Sequence, residues 1–260
     1  MLGALAGDII GSIYERHPHK STDFPLFGED CRFTDDTVLT VAVAEAILRE
    51  IPYEQTVRRY ARAFPGAGYG GRFIGWMTGA ITGPYNSWGN GSAMRVSPVG
   101  FAFDTKQVVL AEAKATADIT HNHPEGVKGA QAVALAVLWA RSGYGKAVIK
   151  DQLEANFGYD LSTPLADIRP TYQFDVSCAG SVPQSIVSFL ESESWESAVR
   201  NAVSLGGDAD TMASIAGAIA EAFYGGVPAE IEHEVMQRIP DNFKDIITAF
   251  YERFNWQEAF

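Results

Sequence analysis

Cysteine is scarce. The 260-residue chain has two, Cys31 and Cys178. They form no C-x-x-C pair, which argues against a thiolate zinc site. Two isolated cysteines suit a reducing compartment, as small buried side chains. Basic residues are also in deficit: 20 Lys and Arg face 32 Asp and Glu, for a formal net charge of −12. Such a surface repels phosphate backbones and argues against extended nucleic-acid binding. It leaves room for a small phosphorylated ligand held by local backbone dipoles. Long apolar runs are missing too. The longest, Ala130 to Ala140, is too short to span a bilayer. The stretch from Met1 to Asp8 is apolar, yet it lacks a basic flank and Asp8 interrupts it, so it does not read as a signal peptide. The expectation is a soluble cytoplasmic monomer with no membrane partner.

Alternating strand patterns are the next absence. Apolar spacing is helical almost everywhere. Val38, Val41, Ala42, Ala44 and Leu48 place a helix over 35–49, stopped by Ile51-Pro52. Further helices are expected over 53–64, 73–82, 105–119, 124–142, 145–157, 182–191, 195–205, 208–224, 228–238 and 240–256. Pro124, Pro228 and Pro240 fall at or near first turns, where a missing N–H costs nothing. A minor hairpin is expected near 161–176. No linker composition and no repeat appears. The reading is one all-α domain over 1–260, a compact orthogonal multi-helix fold built around the helices at 124–142 and 208–224.

Against these absences stand two acid-rich motifs. Phe33-Thr34-Asp35-Asp36-Thr37 opens the first long helix, and Gly206-Gly207-Asp208-Ala209-Asp210-Thr211 opens a later one. Helix capping explains one Thr or Asp per helix start. It does not call for paired carboxylates with flanking threonines, twice. Hard cations want carboxylate, hydroxyl and water oxygens, and four aspartates from two helix starts suffice to bridge a metal pair. Without cations their mutual repulsion is costly.

Between the acid motifs lies a glycine loop, Trp88-Gly89-Asn90-Gly91-Ser92-Ala93-Met94-Arg95. Bare N–H groups at such a turn can cradle a diphosphate with no net positive charge; a plain tight turn is the alternative. Tyr85 and Trp88 flank it, as stacking surfaces or as core. Thr120-His121-Asn122-His123-Pro124 precedes a long apolar helix; the i, i+2 histidine spacing with no third ligand nearby argues against zinc. The polar stretch 16–32 reads as a lid or as an ordinary surface excursion.

In this order the motifs resemble the ADP-ribosylglycohydrolase family, which includes the dinitrogenase-reductase-activating glycohydrolases and the ADP-ribosyl-acceptor hydrolases. The pieces that carry the resemblance are Gly7-Asp8 through Gly11-Ser12-Ile13-Tyr14-Glu15, Phe33 to Thr37, Asn90 to Arg95, Thr120-His121, and Gly206 to Thr211 followed by Gly217-Ala218-Ile219. The resemblance implies an all-α fold with two divalent cations, Mg²⁺ or Mn²⁺. By position, Thr34, Asp35, Asp36, Asp208, Asp210 and Thr211 match metal ligands. Trp88, Gly89, Asn90, Gly91, Ser92 and Met94 match an ADP-ribose-binding loop, and His121 a position near the adenosine side. Glu15, Asp35 and Asp36 are the implied catalytic carboxylates. The stretch ending in Glu15 is closer to the subgroup acting on serine-linked ADP-ribose, where the glutamate gates the metal site. The arginine-specific subgroup carries a carboxylate just before the Asn-Gly loop, whereas this chain has Asn86-Ser87-Trp88-Gly89.

The implied reaction is metal-dependent cleavage of the glycosidic bond between ADP-ribose and an acceptor, with an O-linked protein conjugate or O-acetyl-ADP-ribose as substrate. Three alternatives stand beside it: an arginine-linked ADP-ribose hydrolase, a catalytically silent ADP-ribose-binding or structural relative, and a two-metal phosphoesterase.

Overall fold

The computed structural model describes residues 1–254, and among them it is a succession of α-helices without a strand. The first five are α1 (Leu2–Gly11), α2 (Asp35–Arg49), α3 (Tyr53–Ala63), α4 (Gly71–Thr78) and α5 (Gly91–Met94). Then come α6 (Ser97–Ala102), α7 (Lys106–Asp118), α8 (Pro124–Arg141), α9 (Lys146–Phe157) and α10 (Leu165–Ile168). The last are α11 (Cys178–Leu190), α12 (Trp195–Val203), α13 (Ala209–Tyr224), α14 (Ala229–Arg238) and α15 (Asp241–Phe254). None is long and apolar enough to cross a membrane.

Local chemistry sets many of the ends. The Thr34 hydroxyl accepts the N–H of Asp36 and caps α2, and Thr105 does the same for α7 through Val108. Pro124 opens α8 while the His123 ring accepts the N–H of Glu125. Ser194 and Ser197 form a reciprocal capping box on α12. Gly79 and Gly225 take up left-handed backbone and stop α4 and α13.

The departures from expectation have physical causes. Helix α1 has no polar face, because all ten of its residues are buried, so it leaves no periodic signature. The short α6 went unread as well. The expected hairpin at 161–176 is absent. That segment holds α10 and a loop, joined to the glycine loop by one isolated bridge between Gly89 and Ser177. The helix expected over 73–82 ends at Thr78 because Gly79 stops it. Helix α11 starts at Cys178 rather than 182, capped by Ser177, with Pro183 tolerated inside. The end of the helix expected over 240–256 lies outside the described residues.

The centre of the core is α13, buried from Ala209 to Ala222, with much of α8 also buried. The partner lying closest on α13 is α1. Gly3, Gly7 and Gly11 form one stripe of α1 and meet Gly217, Ala213 and Ala209 of α13, running the opposite way. A methyl on Gly7 would collide with the Ala213 backbone, so only glycine permits this approach. The antiparallel pairing puts the end of α1, with Asp8, beside the start of α13, with Asp210. At the far end the Met1 ammonium, the Gly3 N–H and the Tyr251 hydroxyl all donate to Glu221 in a fully buried cluster.

Candidate metal centre and ligand cleft

Asp8 organises the site, although the sequence reading gave it no role there. The Thr34 N–H donates to its Oδ2 at 2.9 Å, and the Thr34 hydroxyl donates to Oδ1 at 2.7 Å. The Thr37 N–H and hydroxyl donate to Oδ2 at 3.1 and 2.5 Å. One carboxylate thus fastens the start of α2 to α1. The available signal was an acid inside a wholly apolar helix, which needs a reason to be there.

Around this anchor the two acid motifs converge. Oxygens of Asp8, Asp36 and Asp210 lie within 4.8 Å of one another, and so do oxygens of Glu15, Asp208 and Asp210. Asp210 belongs to both groups. The Thr211 hydroxyl donates to Asp36 Oδ2 at 3.2 Å, and the Asn90 amide donates to Asp208 Oδ2 at 2.7 Å. Asp35 lies to one side, its Oδ1 close to Gly68 and its N–H bonded to Ala67 O at 2.9 Å.

Burial, then neighbouring carboxylates, pushes the Asp36 and Asp210 carboxyls well above the usual range. Asp35 is pushed up to about 8 by burial first and Asp8 next. Asp8 rises to about 6 from burial, which outweighs its four hydrogen bonds. Asp208 and Glu15 shift upward for the same leading reason. The charges pressing hardest on Asp36 and Asp210 are all negative, and Asp36 Oδ1 is buried without a hydrogen-bond partner. An orphaned buried oxygen inside a set of mutually repelling carboxylates fits a hard divalent cation. Asp8, Asp36, Asp210, Asp208 and Glu15 are the residues placed to hold one.

All of these acids but the fully buried Asp8 line a cleft of about 350 Å³. Glu15, Asp35, Asp36, Asp208, Asp210 and Thr211 border it, as do Gly89, Asn90, Gly91, Met94 and His121. Thr34 is buried beneath, turned to Asp8. Trp88 is 48% exposed and does not line the cleft. The Ser92 hydroxyl is spent on Gly126 O at 2.7 Å, so it faces away. Lining residues given no role in the sequence reading include Gly68, Gly70, Arg72, Arg95, Phe174 and Val176. Gly68, Gly70, Phe174 and Val176 come from turns and a loop without periodicity, whereas Arg72 lies in the first turn of α4 and Arg95 directly follows α5. A larger cavity of about 540 Å³, beside Glu221, Tyr224 and Tyr251, lies at the other end of the α1–α13 pair, away from the acid groups.

The glycine loop is clipped in place from two sides. Asn90 N–H donates to Val176 O at 2.8 Å, and Cys178 N–H donates to Trp88 O at 3.0 Å. The Cys178 thiol donates to Gly89 O at 3.1 Å. Its pKa is pushed up to about 12 by burial, as befits a packing residue. Both cysteines are free and buried. The stretch 16–32 is strapped to the body. Lys20 donates to the carbonyls of Arg169, Tyr172 and Leu205, Arg200 to those of Thr22 and Phe24, and the Tyr14 hydroxyl to Pro25.

Comparison with known proteins agrees with this architecture. The sequence profile described as ADP-ribosylglycohydrolase matches residues 1–259. The chain is similar to "ADP-ribosylhydrolase ARH3" of Homo sapiens, 26% identical, over 97% of this chain and 89% of that one. The protein of that name from Mus musculus is 25% identical, over 97% and 87%. A solved structure titled "ADP-ribosylglycohydrolase-related protein complex" has the same fold, with a TM-score of 0.70, 23% identity and 96% of each chain covered. Fold and sequence together define an all-helical glycohydrolase. More particularly, the chain belongs to the ADP-ribosylglycohydrolase family, enzymes that hydrolyse glycosidic bonds of ADP-ribose.

Proposed function

We propose that this enzyme releases ADP-ribose from O-linked conjugates, serine-type or O-acetyl-ADP-ribose, with Mg²⁺ or Mn²⁺ as its cofactor. The observation that carries the reading is the pair of carboxylate groups sharing Asp210 at the base of a cleft bordered by the glycine loop. Two groups sharing one ligand suit two cations. Asp8, Asp36, Asp208, Asp210, Glu15 and the Thr211 hydroxyl would hold them, with Asp35 alongside and the Thr34 hydroxyl turned to Asp8. When bound, such ions supply Lewis-acid polarisation and a more acidic bound water.

The chain's own groups do the rest. The N–H groups of Gly91 and Ser92 receive the diphosphate, those of Gly89 and Asn90 being bonded to Ser87 and Val176, while the Asn90 amide steadies Asp208. Glu15 is half-buried, whereas Asp36 and Asp210 are shut away from solvent. That gives Glu15, like Asp35, access to an entering water. Its raised pKa suits a group that orients the water and exchanges its proton during oxocarbenium-like cleavage. The rim at Asn86-Ser87-Trp88 has no acid to pair with a guanidinium acceptor, which supports an oxygen linkage over an arginine one. Asn86 there bonds Asn122, and Ser87 bonds Gly89.

The test is a substrate panel with magnesium: a serine-linked ADP-ribosyl peptide, an arginine-linked ADP-ribosyl protein, O-acetyl-ADP-ribose and poly(ADP-ribose). Release of ADP-ribose from the O-linked members, lost with chelator or in Asp208→Ala, is expected. Turnover of the arginine conjugate alone would remove the linkage assignment. Phosphate as the only product would point to a phosphoesterase.

A further inference from the structure

Arg95 is fully buried, borders the cleft and has no carboxylate partner among the described residues. Its Nη2 donates to Thr116 O and to Thr120 Oγ1, both at 2.8 Å, while Nε and Nη1 find no acceptor. A guanidinium can only donate, so the Thr120 hydroxyl accepts. That hydroxyl has one proton of its own, and His121 Nδ1 lies 2.7 Å away. An oxygen that accepts from a cation becomes a better donor in turn. Thr120 is fully buried, so its proton needs an acceptor, and Nδ1 takes it; the ring then keeps its own proton on Nε2. Nε2 is the nitrogen beside the glycine loop: a methyl on Gly91 would sit 3.0 Å from it, and one on Gly89 3.6 Å.

We propose that Arg95 and Thr120 are positioning residues that hold His121 as a neutral imidazole with its proton on Nε2, a donor presented to a ligand oxygen beside the glycine loop. The ligand half rests on the reading of the cleft as an ADP-ribose site. The relay itself stands on the hydrogen bonds above. Burial and then the charge of Arg95 also hold the His121 pKa well below that of free imidazole, so no second proton arrives. The loop from Asn90 to Arg95 therefore has two tasks. Gly91 and Ser92 offer backbone N–H groups, and its last residue orders the side chain that faces them.

The experiment is a long-range nitrogen–proton spectrum of the full chain with ¹⁵N-labelled histidine. The ligand-free protein is expected to show a protonated Nε2 and a bare Nδ1 at His121. Thr120→Val keeps the shape and removes the hydroxyl. It should let the two tautomers exchange and raise KM for an ADP-ribosyl peptide roughly five-fold, with kcat little changed. Thr120→Ser should restore both. A proton on Nδ1 in the free protein, or an unaltered ring in Thr120→Val, would overturn the relay. If ADP-ribose leaves the His121 signals unmoved, the cleft reading falls, and with it the ligand half of the proposal. Should Thr120→Val not fold, the wild-type spectrum alone decides.

Discussion

Asp8 and Asp36 both have carboxyl pKa values raised by burial but differ in hydrogen bonding. Asp8 accepts four hydrogen bonds, whereas Asp36 has one oxygen with no partner. Substituting asparagine should therefore move stability in opposite directions. In Asp8→Asn an amide NH₂ would confront Thr34 or Thr37 donors, and a loss of about 2 kcal/mol is expected in chelator-treated protein. In Asp36→Asn the new side chain copies the protonated acid, so the chelated protein should gain on the order of 1 kcal/mol at pH 8. Both variants should lose activity, Asp36→Asn by at least about 100-fold and Asp8→Asn by about 10–100-fold. Denaturant midpoints in chelator and turnover in magnesium are the two measurements. A matching sign in both midpoints would contradict this assignment of roles.

At the scale of elements, the α1–α13 contact decides whether the acids meet. Gly7 lies at the middle of the glycine stripe, where added atoms strike main chain that cannot swing away. Gly7→Ala should cost about 3 kcal/mol by denaturant unfolding and weaken metal-dependent turnover, because the helices must part. A change below about 0.5 kcal/mol would mean that the contact is looser than the geometry shows. The same element marks the limit of what the sequence reveals. Helices α2, α8 and α13 were legible because each begins with a capping residue type or a proline, α13 even though it is buried along most of its length. Helix α1 was not, since a segment buried on every side has no face to alternate. The acid motifs at 34–36 and 208–211 were legible from residue type and order. The supporting roles of Asp8, Arg95, Phe174 and Val176 depend on which helix lies against which, and no local spacing encodes that. The hairpin expected at 161–176 arose from reading a stretch poor in helical pattern as strand. Its backbone is in fact tied down by Lys20 and by the glycine loop.

For the molecule as a whole, the buried acids make stability depend on pH and on cations. Carboxyls with raised pKa values bind more protons in the folded chain than in the unfolded one. Stability of the metal-free protein should then fall as pH rises from about 4, where unfolded carboxylates titrate, to about 8. Asp8, at about 6, and Asp35, at about 8, set that window, and Asp36, Asp208 and Asp210 act in the same direction. His121, with its lowered pKa, opposes them only as pH falls through about 6.5. Thermal melts in chelator should show Tm decreasing between pH 6 and 8, and saturating magnesium or manganese should flatten or reverse the slope. A slope identical with and without the ions would show that they do not bind among these acids.

Asp8 is anchored by α2 early in the chain, yet the acids Asp208 and Asp210 that complete the cluster are two hundred residues downstream. During synthesis the growing polypeptide must therefore keep α1 waiting until α13 has left the ribosome. Until then a glycine-striped, wholly apolar helix is without its mate. Nascent chains stalled short of residue 224 should accordingly be the ones that engage chaperones.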